Sequence, residues 1–331
     1  MQGSRSLLRR IGTTLVAAAT MTVVPPALSQ GAERYPDKPV RIIVGFAPGG
    51  LTDIYARLFA VNFQKVTGQP MIVENKPGAA TMIGTTAVAK AAPDGYTLCF
   101  CVTNVFTNQF FRESMPYRPD ELTPVSLAFK SNSVLVVPAN SPFKSTKDLV
   151  EYAHKNPDKL TYSTTGAGGA THITGELFAS VAKTKSVAVH YKGASPATSA
   201  VAAGEVDFAF SAIATAQPPL KEGRVRALGV ASEERIAALP DVPTMGEVGF
   251  EGVASGVWYG LMAPAGTPQP IVERLNRISN DFFGSAEVRE RLMVGGETPL
   301  ANASPAEMAA YIERDTEALR KIIVPMNLKL D

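Results

Sequence analysis

Residue types that bind metals are scarce in this sequence, which contains only two cysteines and three histidines in 331 residues. The histidines are His154, His172 and His190. None of them belongs to an H-E-x-x-H or H-x-x-E-H motif, and no C-x-x-C motif occurs. The sequence therefore predicts no metal site.

The two cysteines, Cys99 and Cys101, lie two residues apart in a predicted strand and share one face of it. A disulfide between them would be badly strained at this spacing. Free cysteine is among the residue types most often buried. We therefore expect two buried free thiols.

A large net charge and long apolar runs are also lacking. The formal net charge is only +2, which argues against a nucleic-acid partner and against a basic membrane-binding face. The one extended apolar stretch, residues 11–24, follows Arg5, Arg9 and Arg10 and precedes the small residues around Ala27. This order is typical of a cleaved secretory signal. We expect residues 1–29 to be a signal peptide and the mature chain to be a periplasmic protein.

The stretch Val40–Asp53, with the sequence VRIIVGFAPGGLTD, contains an apolar strand pattern, a glycine-rich turn and the start of a helix pattern. Such a turn leaves the first N–H groups of the helix unpaired. These donors and the positive end of the helix dipole form an anion site that needs no basic side chain. The stretch therefore predicts a site for a small carboxylate.

The same arrangement recurs along the chain. Strand candidates from Val40–Val44 to Arg226–Val230 alternate with helical segments, a rhythm that predicts an α/β fold with mainly parallel sheet. Glycine-rich or polar loops follow further strands, at residues 75–80, 164–170 and 192–196 and at Ser211. In a parallel sheet such loops lie beyond the carboxyl ends of the strands, where ligands bind. We expect several helix N-termini to face one cleft.

The loops do not match cofactor motifs. GFAPGG lacks the Gly-Lys-Ser/Thr of a phosphate-binding P-loop, and GAGG lacks the spacing of a dinucleotide fingerprint. The sequence therefore predicts no cofactor.

His172 begins a helix, where it could cap the helix or contact the ligand. In the first helix, Ile54, Leu58 and Val61 form a stripe predicted to pack on the sheet. Asp53 is interpreted as a stabiliser of the first turn.

At these loops the chain resembles the Bug family, the extracytoplasmic solute-binding receptors of tripartite tricarboxylate transporters. The resemblance extends from Tyr35 to the C-terminus. Its motifs are YPDKPVRIIVGFAPGG, VENKPGA, IGTTAVAKAAPDGYTL, TTGAGGATHITGELF, YKGASPA, GEVDFAF, LPDVPT and WYGLMAPAGTP.

The resemblance implies a two-lobed periplasmic-binding-protein fold of type II-like organisation. Each lobe is expected to be a mainly parallel sheet flanked by helices, with the ligand cleft between the lobes. Lobe 1 is expected to be discontinuous, comprising residues 30–130 and 255–331. Lobe 2 is expected to comprise residues 131–254.

The resemblance also implies that backbone amides and bridging waters hold the ligand carboxylate. With the polar loop residues added, the predicted ligand-binding set is Phe46, Ala47, Pro48, Gly49, Gly50, Gly78, Ala79, Thr103, Asn104, Thr165, Gly166, Gly168, Gly169, His172 and Ser211. No catalytic residue is predicted. We expect a monomer that delivers its ligand to the permease subunits of a transporter. One alternative is a partner of a membrane sensor kinase, and another is a periplasmic enzyme that uses His172.

Three loops depart from the family pattern. Ala80 and Thr81 stand where glycines are usual, Gly169 replaces a hydroxyl residue, and Ser211 replaces a common aspartate. A serine at position 211 cannot neutralise a ligand ammonium group. The sequence therefore predicts a non-amino ligand, such as an organic di- or tricarboxylate or an aromatic acid.

Overall fold

The computed structural model describes residues 34–253 and 256–327. The predicted signal peptide, residues 1–29, lies outside the described residues, as do residues 254 and 255 at the predicted return to lobe 1. Among the residues that are described, no helix is both long enough and apolar enough to cross a bilayer.

The described chain alternates strands and helices. The strands are β1 Val40–Val44, β2 Met71–Asn75, β3 Thr97–Val102, β4 Leu122–Pro138, β5 Thr161–Thr164, β6 Val187–His190, β7 Phe208–Ala212, β8 Val225–Ala231, β9 Gly256–Pro264 and β10 Glu297–Pro299. The helices are α1 Leu51–Thr67, α2 Met82–Ala89, α3 Asn104–Thr107, α4 Thr146–Lys155, α5 Ala170–Ala182, α6 Ala194–Ala203, α7 Ile213–Lys221, α8 Gln269–Phe283, α9 Ala286–Gly295 and α10 Pro305–Ile323.

The strands form a curled mixed sheet in the order β2-β1-β3-β9-β4-β7-β5-β6, with β8 and β10 also paired to β4. The predicted α/β class is confirmed. Parallel pairs join β2, β1 and β3 at one end of the sheet and β6, β5 and β7 at the other. The pairs that β4 and β9 make are antiparallel.

The long strand β4 joins the two halves of the sheet. Its first part, Leu122–Asn132, pairs with β9. Its second part, from Ser133 to Pro138, pairs with β7 and β8. Each half packs its own apolar core, which includes Trp258 in one half and Phe210 in the other. The carboxyl ends of the parallel strands in each half carry the glycine-rich and polar loops.

The predicted buried stripe of α1 is wrong. Ile54 is 39% exposed and Val61 is 72% exposed. The helix instead buries the aromatic stripe of Tyr55, Phe59 and Phe63, which recurs at i, i+4 and i+8. These rings bury more apolar surface than the aliphatic stripe would, so they determine which face of the helix meets the core.

The expectation of two free thiols is also wrong, because Cys99 and Cys101 form a disulfide. Both residues lie on one face of β3, and their Cα atoms are 5.3 Å apart. This separation is within the range that disulfides require. Both side chains are buried in the core beneath β3.

Candidate functional site

The first loop, residues 45–50, connects β1 to α1 and is stabilised by a hydrogen bond between Gly49 and Asp53. Gly49 has a φ of 90°, a conformation that favours glycine, and its N–H donates to Oδ2 of Asp53 at 3.0 Å. Arg57 donates to the same carboxylate at 3.0 Å. These bonds, with the Arg57 bond the strongest cause, lower the pKa of Asp53 to about 2. Asp53 is therefore an ionised stabiliser of the first turn.

Asn75, at the end of β2, holds the first loop from the other side. Its Nδ2 group donates to the carbonyl of Phe46 at 3.0 Å and to Oδ1 of Asp53 at 2.9 Å. Its Oδ1 accepts from Arg57 at 3.0 Å. The loop between Phe46 and Gly50 is therefore anchored at both ends although all five of its residues are exposed.

The amides of the first loop are not equivalent as donors. The Gly49 N–H is occupied by Asp53, and Pro48 has no N–H. Within the described part of the chain, the N–H groups of Ala47 and Gly50 have no hydrogen-bond acceptor. These two exposed amides lie at the positive end of the 17-residue helix α1. Both are therefore available to donate to an anion.

The second loop, residues 76–81, has an unusual backbone. Gly78 has a φ of 123°, and Ala79, Ala80 and Thr81 follow at 46°, 51° and 77°. Residues with a side chain seldom adopt this region. Thr81 lies directly on Gly45, since a Cβ atom at Gly45 would be 2.8 Å from that of Thr81. The first and second loops are therefore in contact.

The loop after β3 contains Thr103 and Asn104, two of the predicted ligand-binding residues. The Thr103 hydroxyl accepts from the N–H of Trp258 at 3.1 Å, and the Thr103 carbonyl accepts from Phe106 at 3.0 Å. Asn104 begins the short helix α3 and is buried. Thr103 thus connects this loop to β9, and its hydroxyl is already occupied as an acceptor.

In the other half of the sheet, the loop from Thr165 to Gly169 is held by its own hydrogen bonds. The Gly168 N–H donates to Nδ1 of His172 at 3.0 Å, and the Thr165 N–H donates to Oγ1 of Thr171 at 2.8 Å. The Gly166 N–H donates to the Thr164 hydroxyl, and the Gly169 N–H to the carbonyl of Gly166. Four backbone donors of this loop are therefore occupied.

His172 lies beneath this loop and is 5% exposed. Burial lowers its pKa, and the charge of Glu176 opposes that shift. The ring is therefore neutral at neutral pH. Because Nδ1 accepts a hydrogen bond from Gly168, the single proton of the ring is on Nε2. His172 thus holds the Gly168 N–H of the loop through Nδ1.

A small cavity of about 30 Å³ lies at the carboxyl ends of β5 and β7. Hydroxyl groups dominate its polar lining, and no charged residue lines it. Thr198 donates to Ser211 at 3.2 Å, and Ser211 is 4% exposed. The hydroxyl residues that line the cavity are Ser163, Thr165, Thr171, Thr198, Ser211 and Thr215.

A larger groove of about 880 Å³ runs along α10. Its lining includes Phe106, Leu122 and Ile312, together with charged residues of α10 such as Glu313 and Arg314. None of the residues predicted to bind the ligand lines it. The candidate site is therefore the set of loops at the carboxyl ends of the strands, and this groove is separate from it.

Sequence reasoning missed Asn75 and Thr198 as residues that organise the loops, whereas the i, i+4 spacing of Asp53 and Arg57 already indicated their ion pair. Asn75 contacts residues 22 and 29 positions away, which no local pattern reveals. A local signal was present for the other anchors. The segments Gly49–Asp53 and Gly168–His172 both read Gly-Gly-x-Thr followed by a side chain that can accept a hydrogen bond.

Comparisons with known proteins agree with this architecture. The family model described as "Tripartite tricarboxylate transporter family receptor" matches residues 55–328. A protein of Pseudomonas sp. strain P51, named for the tcbD-tcbE intergenic region, is 35% identical over 98% of this chain and 95% of its own length.

Two solved structures are similar along nearly their whole length. Rpa4515 of R. palustris, solved with adipate, has a TM-score of 0.80 at 31% identity and covers 87% of this chain and 98% of its own. MatC of Rhodopseudomonas palustris, solved with bound malate, has a TM-score of 0.77 at 33% identity and covers 87% of this chain and 100% of its own. The fold is therefore the two-lobed fold of periplasmic binding proteins.

Proposed function

The chain belongs to the family of tripartite tricarboxylate transporter receptors, and on this basis we propose that it captures a small non-amino carboxylate in the periplasm. Relatives solved with adipate and with malate support a carboxylate ligand. Delivery to the membrane subunits of a transporter is the corresponding role, since this is the system for which the family is named. We propose no catalytic residue.

One observation carries the proposal: the first loop is rigidly anchored and yet presents free amides. Asp53 and Asn75 fix the backbone, while the N–H groups of Ala47 and Gly50 remain exposed at the start of α1. Preorganised backbone donors at a helix N-terminus suit a carboxylate and require no cation. We place the first carboxylate of the ligand here, held by these amides and by bridging waters.

The remaining predicted residues are assigned around this position. Phe46, Gly78 and Ala79 form the wall on the side of lobe 1. The loop from Thr165 to Gly169 and the hydroxyl of Ser211 face the ligand from lobe 2. We propose lobe boundaries at residues 130 and 254, because β4 changes partners between Asn132 and Ser133. Closure of the two lobes over the ligand is the motion this fold type uses.

The lining of the lobe 2 cavity supports a non-amino ligand. Hydroxyl groups can donate to oxygen, and the lining contains no carboxylate that could pair with an ammonium group. An amino acid would therefore leave its buried ammonium group without a charged partner, which is costly. Dicarboxylates, tricarboxylates and aromatic acids avoid this cost.

Thermal unfolding of the purified protein against a panel of acids tests the proposal. The panel contains malate, adipate, citrate and benzoate, with aspartate and glutamate as the amino-acid comparison. A ligand at about one hundred times its Kd stabilises the protein by roughly 2.7 kcal/mol. We expect at least one non-amino acid to raise Tm. Tight binding of aspartate or glutamate without any response to dicarboxylates would contradict the proposal.

A further inference from the structure

The loops before α1 and α5 are closed by the same kind of internal hydrogen bond. In each loop, the residue before the helix N-cap is a glycine with positive φ, 90° at Gly49 and 70° at Gly168. In each, the N–H of that glycine donates over 3.0 Å to the side chain four residues later. The acceptor is Asp53 in the first loop and His172 in the second.

The two acceptors differ in how they respond to protons. The carboxylate of Asp53 remains ionised because Arg57, Gly49 and Asn75 all donate to it, and its pKa is about 2. The imidazole of His172 can accept from Gly168 only while Nδ1 carries no proton. A second proton on the ring would place two donors, Nδ1–H and the Gly168 N–H, against each other.

The surroundings of His172 resist that second proton. The ring is buried and stands in the first turn of α5, where the helix dipole disfavours a cation. The groups that face it are Glu176 on α5, His190 on β6 and Tyr162 on β5. Glu176 lies 3.8 Å from Nε2, and it already accepts a hydrogen bond from Tyr162 at 2.6 Å.

We propose that His172 is a positioning residue, that its neutral ring holds the Thr165–Gly169 loop in the ligand-binding arrangement, and that protonation of the ring releases this loop and weakens binding. The weaker ligand binding rests on the proposed function, whereas the release of the loop does not depend on it. The loop of lobe 2 is then sensitive to acid, whereas the hydrogen bond to Asp53 keeps the loop of lobe 1 in place until the pH approaches about 2.

Two variants of His172 separate its acceptor from its charge. His172→Asn keeps an acceptor oxygen at the same distance along the side chain as Nδ1, and it does not titrate. His172→Phe keeps an aromatic ring and removes the acceptor. The matched control is His190→Asn, which removes the neighbouring exposed histidine that bonds Thr164 at 2.7 Å.

The first measurement is amide hydrogen exchange of residues 164–172 in the ligand-free protein between pH 5 and pH 8, corrected for intrinsic exchange. We expect the protection of this segment to fall in acid for the wild type and for His190→Asn. It should stay constant in His172→Asn and be low at every pH in His172→Phe. Equal pH profiles for the wild type and His172→Asn would overturn the proposal.

The second measurement is the Kd for malate and for adipate over the same pH range, as a ratio to that of His172→Asn. Ionisation of the ligand cancels in this ratio. Below the pKa of His172 the wild-type Kd should rise with a limiting slope of about tenfold per pH unit. Tighter binding by the wild type in acid would instead mean that the ring contacts the ligand as a cation, and would overturn the proposal. If no acid binds at any pH, the proposed function fails, and hydrogen exchange alone decides the role of His172.

Discussion

The Nδ2 group of Asn75 donates to Oδ1 of Asp53 at 2.9 Å, so the end of β2 is joined to the first turn of α1. The same amide group donates to the carbonyl of Phe46 at 3.0 Å. The Asn75 side chain therefore joins the second loop to the first loop and to Asp53, whose carboxylate accepts from the Gly49 N–H. The rigidity of the first loop depends on this junction.

Replacing Asn75 with alanine should loosen the first loop. The substitution removes three hydrogen bonds, one of them to a buried carboxylate, and should lower the free energy of unfolding by about 1–3 kcal/mol. Chemical denaturation measures the loss, and the affinity for the best acid of the panel should fall with it. Asn156→Ala removes a single exposed bond to Tyr152 and is the control. Unchanged affinity in Asn75→Ala would show that the junction does not position the site.

Substitution of Gly49 tests where the carboxylate binds. A side chain at this position meets no atom within 4 Å, but the φ of 90° strains it by about 1–2 kcal/mol. Gly49→Asp places a carboxylate where the ligand carboxylate is proposed to lie and should abolish binding. Gly49→Asn carries the same strain without the charge and should bind more tightly than Gly49→Asp. Equal affinities of the two variants, by calorimetry, would place the anion elsewhere.

Ser211 should determine whether the ligand carries an ammonium group. In Ser211→Asp, the new carboxylate would be buried among hydroxyls and would repel a second ligand carboxylate. We expect at least about a tenfold loss of dicarboxylate affinity, equivalent to 1.4 kcal/mol, and a gain for aspartate or glutamate. The control is Ser211→Asn, which has nearly the same shape and no charge. If both variants lose affinity equally, the size of the new side chain, and not its charge, causes the loss.

The strained second loop predicts a stabilising substitution. Ala80 has a φ of 51°, which glycine adopts at no steric cost. Ala80→Gly should therefore raise stability by up to about 1 kcal/mol, net of the greater freedom that glycine has in the unfolded chain. Ala87→Gly makes the same change inside α2 and should lower stability by about 1 kcal/mol. Thermal melts of the two variants should thus shift in opposite directions. A lower Tm for Ala80→Gly would contradict the prediction.

Glu297 predicts a pH dependence of stability. Its side chain is 3% exposed, Oε1 has no hydrogen-bond partner, and burial raises its pKa from 4.5 to about 7. The folded protein therefore binds this proton more tightly than the unfolded chain does. Below pH 4.5 the carboxyl is neutral in both states, so burying it carries no ionisation cost. As the pH rises through 7 the cost grows to about 3 kcal/mol.

Glu297→Gln should abolish this dependence. Between pH 5.5 and pH 8.5, the wild type should lose stability relative to the variant, as denaturation curves at each pH will show. Glu313→Gln, which changes an exposed side chain of α10, is the control and should follow the wild type. Parallel pH profiles for Glu297→Gln and the wild type would mean that the carboxyl does not titrate in this range.

The limits of sequence-based prediction are clearest in β4 and β9. The sequence predicts a strand over only residues 133–137 of β4 and no strand at β9, whereas β4 spans Leu122–Pro138 and pairs with Gly256–Pro264. Antiparallel pairing between segments about 130 positions apart leaves no local signature. In contrast, β1 occurs over the residues predicted for it, and α1 begins where predicted, because an apolar run, a glycine turn and a helix start are adjacent in the chain.

The sequence by itself determined the alternation of strands and helices, the glycine turns before α1 and α5 and the family to which the chain belongs. These features depend on backbone preferences and on contacts within about four residues. Only the tertiary structure decided which loop amides are occupied, which face of α1 is buried and where Asn75 bonds. Those outcomes depend on contacts between segments far apart in the chain. Burial of the large aromatic side chains determines the face of α1 that meets the core, and the fold determines which polar groups are close enough to form hydrogen bonds.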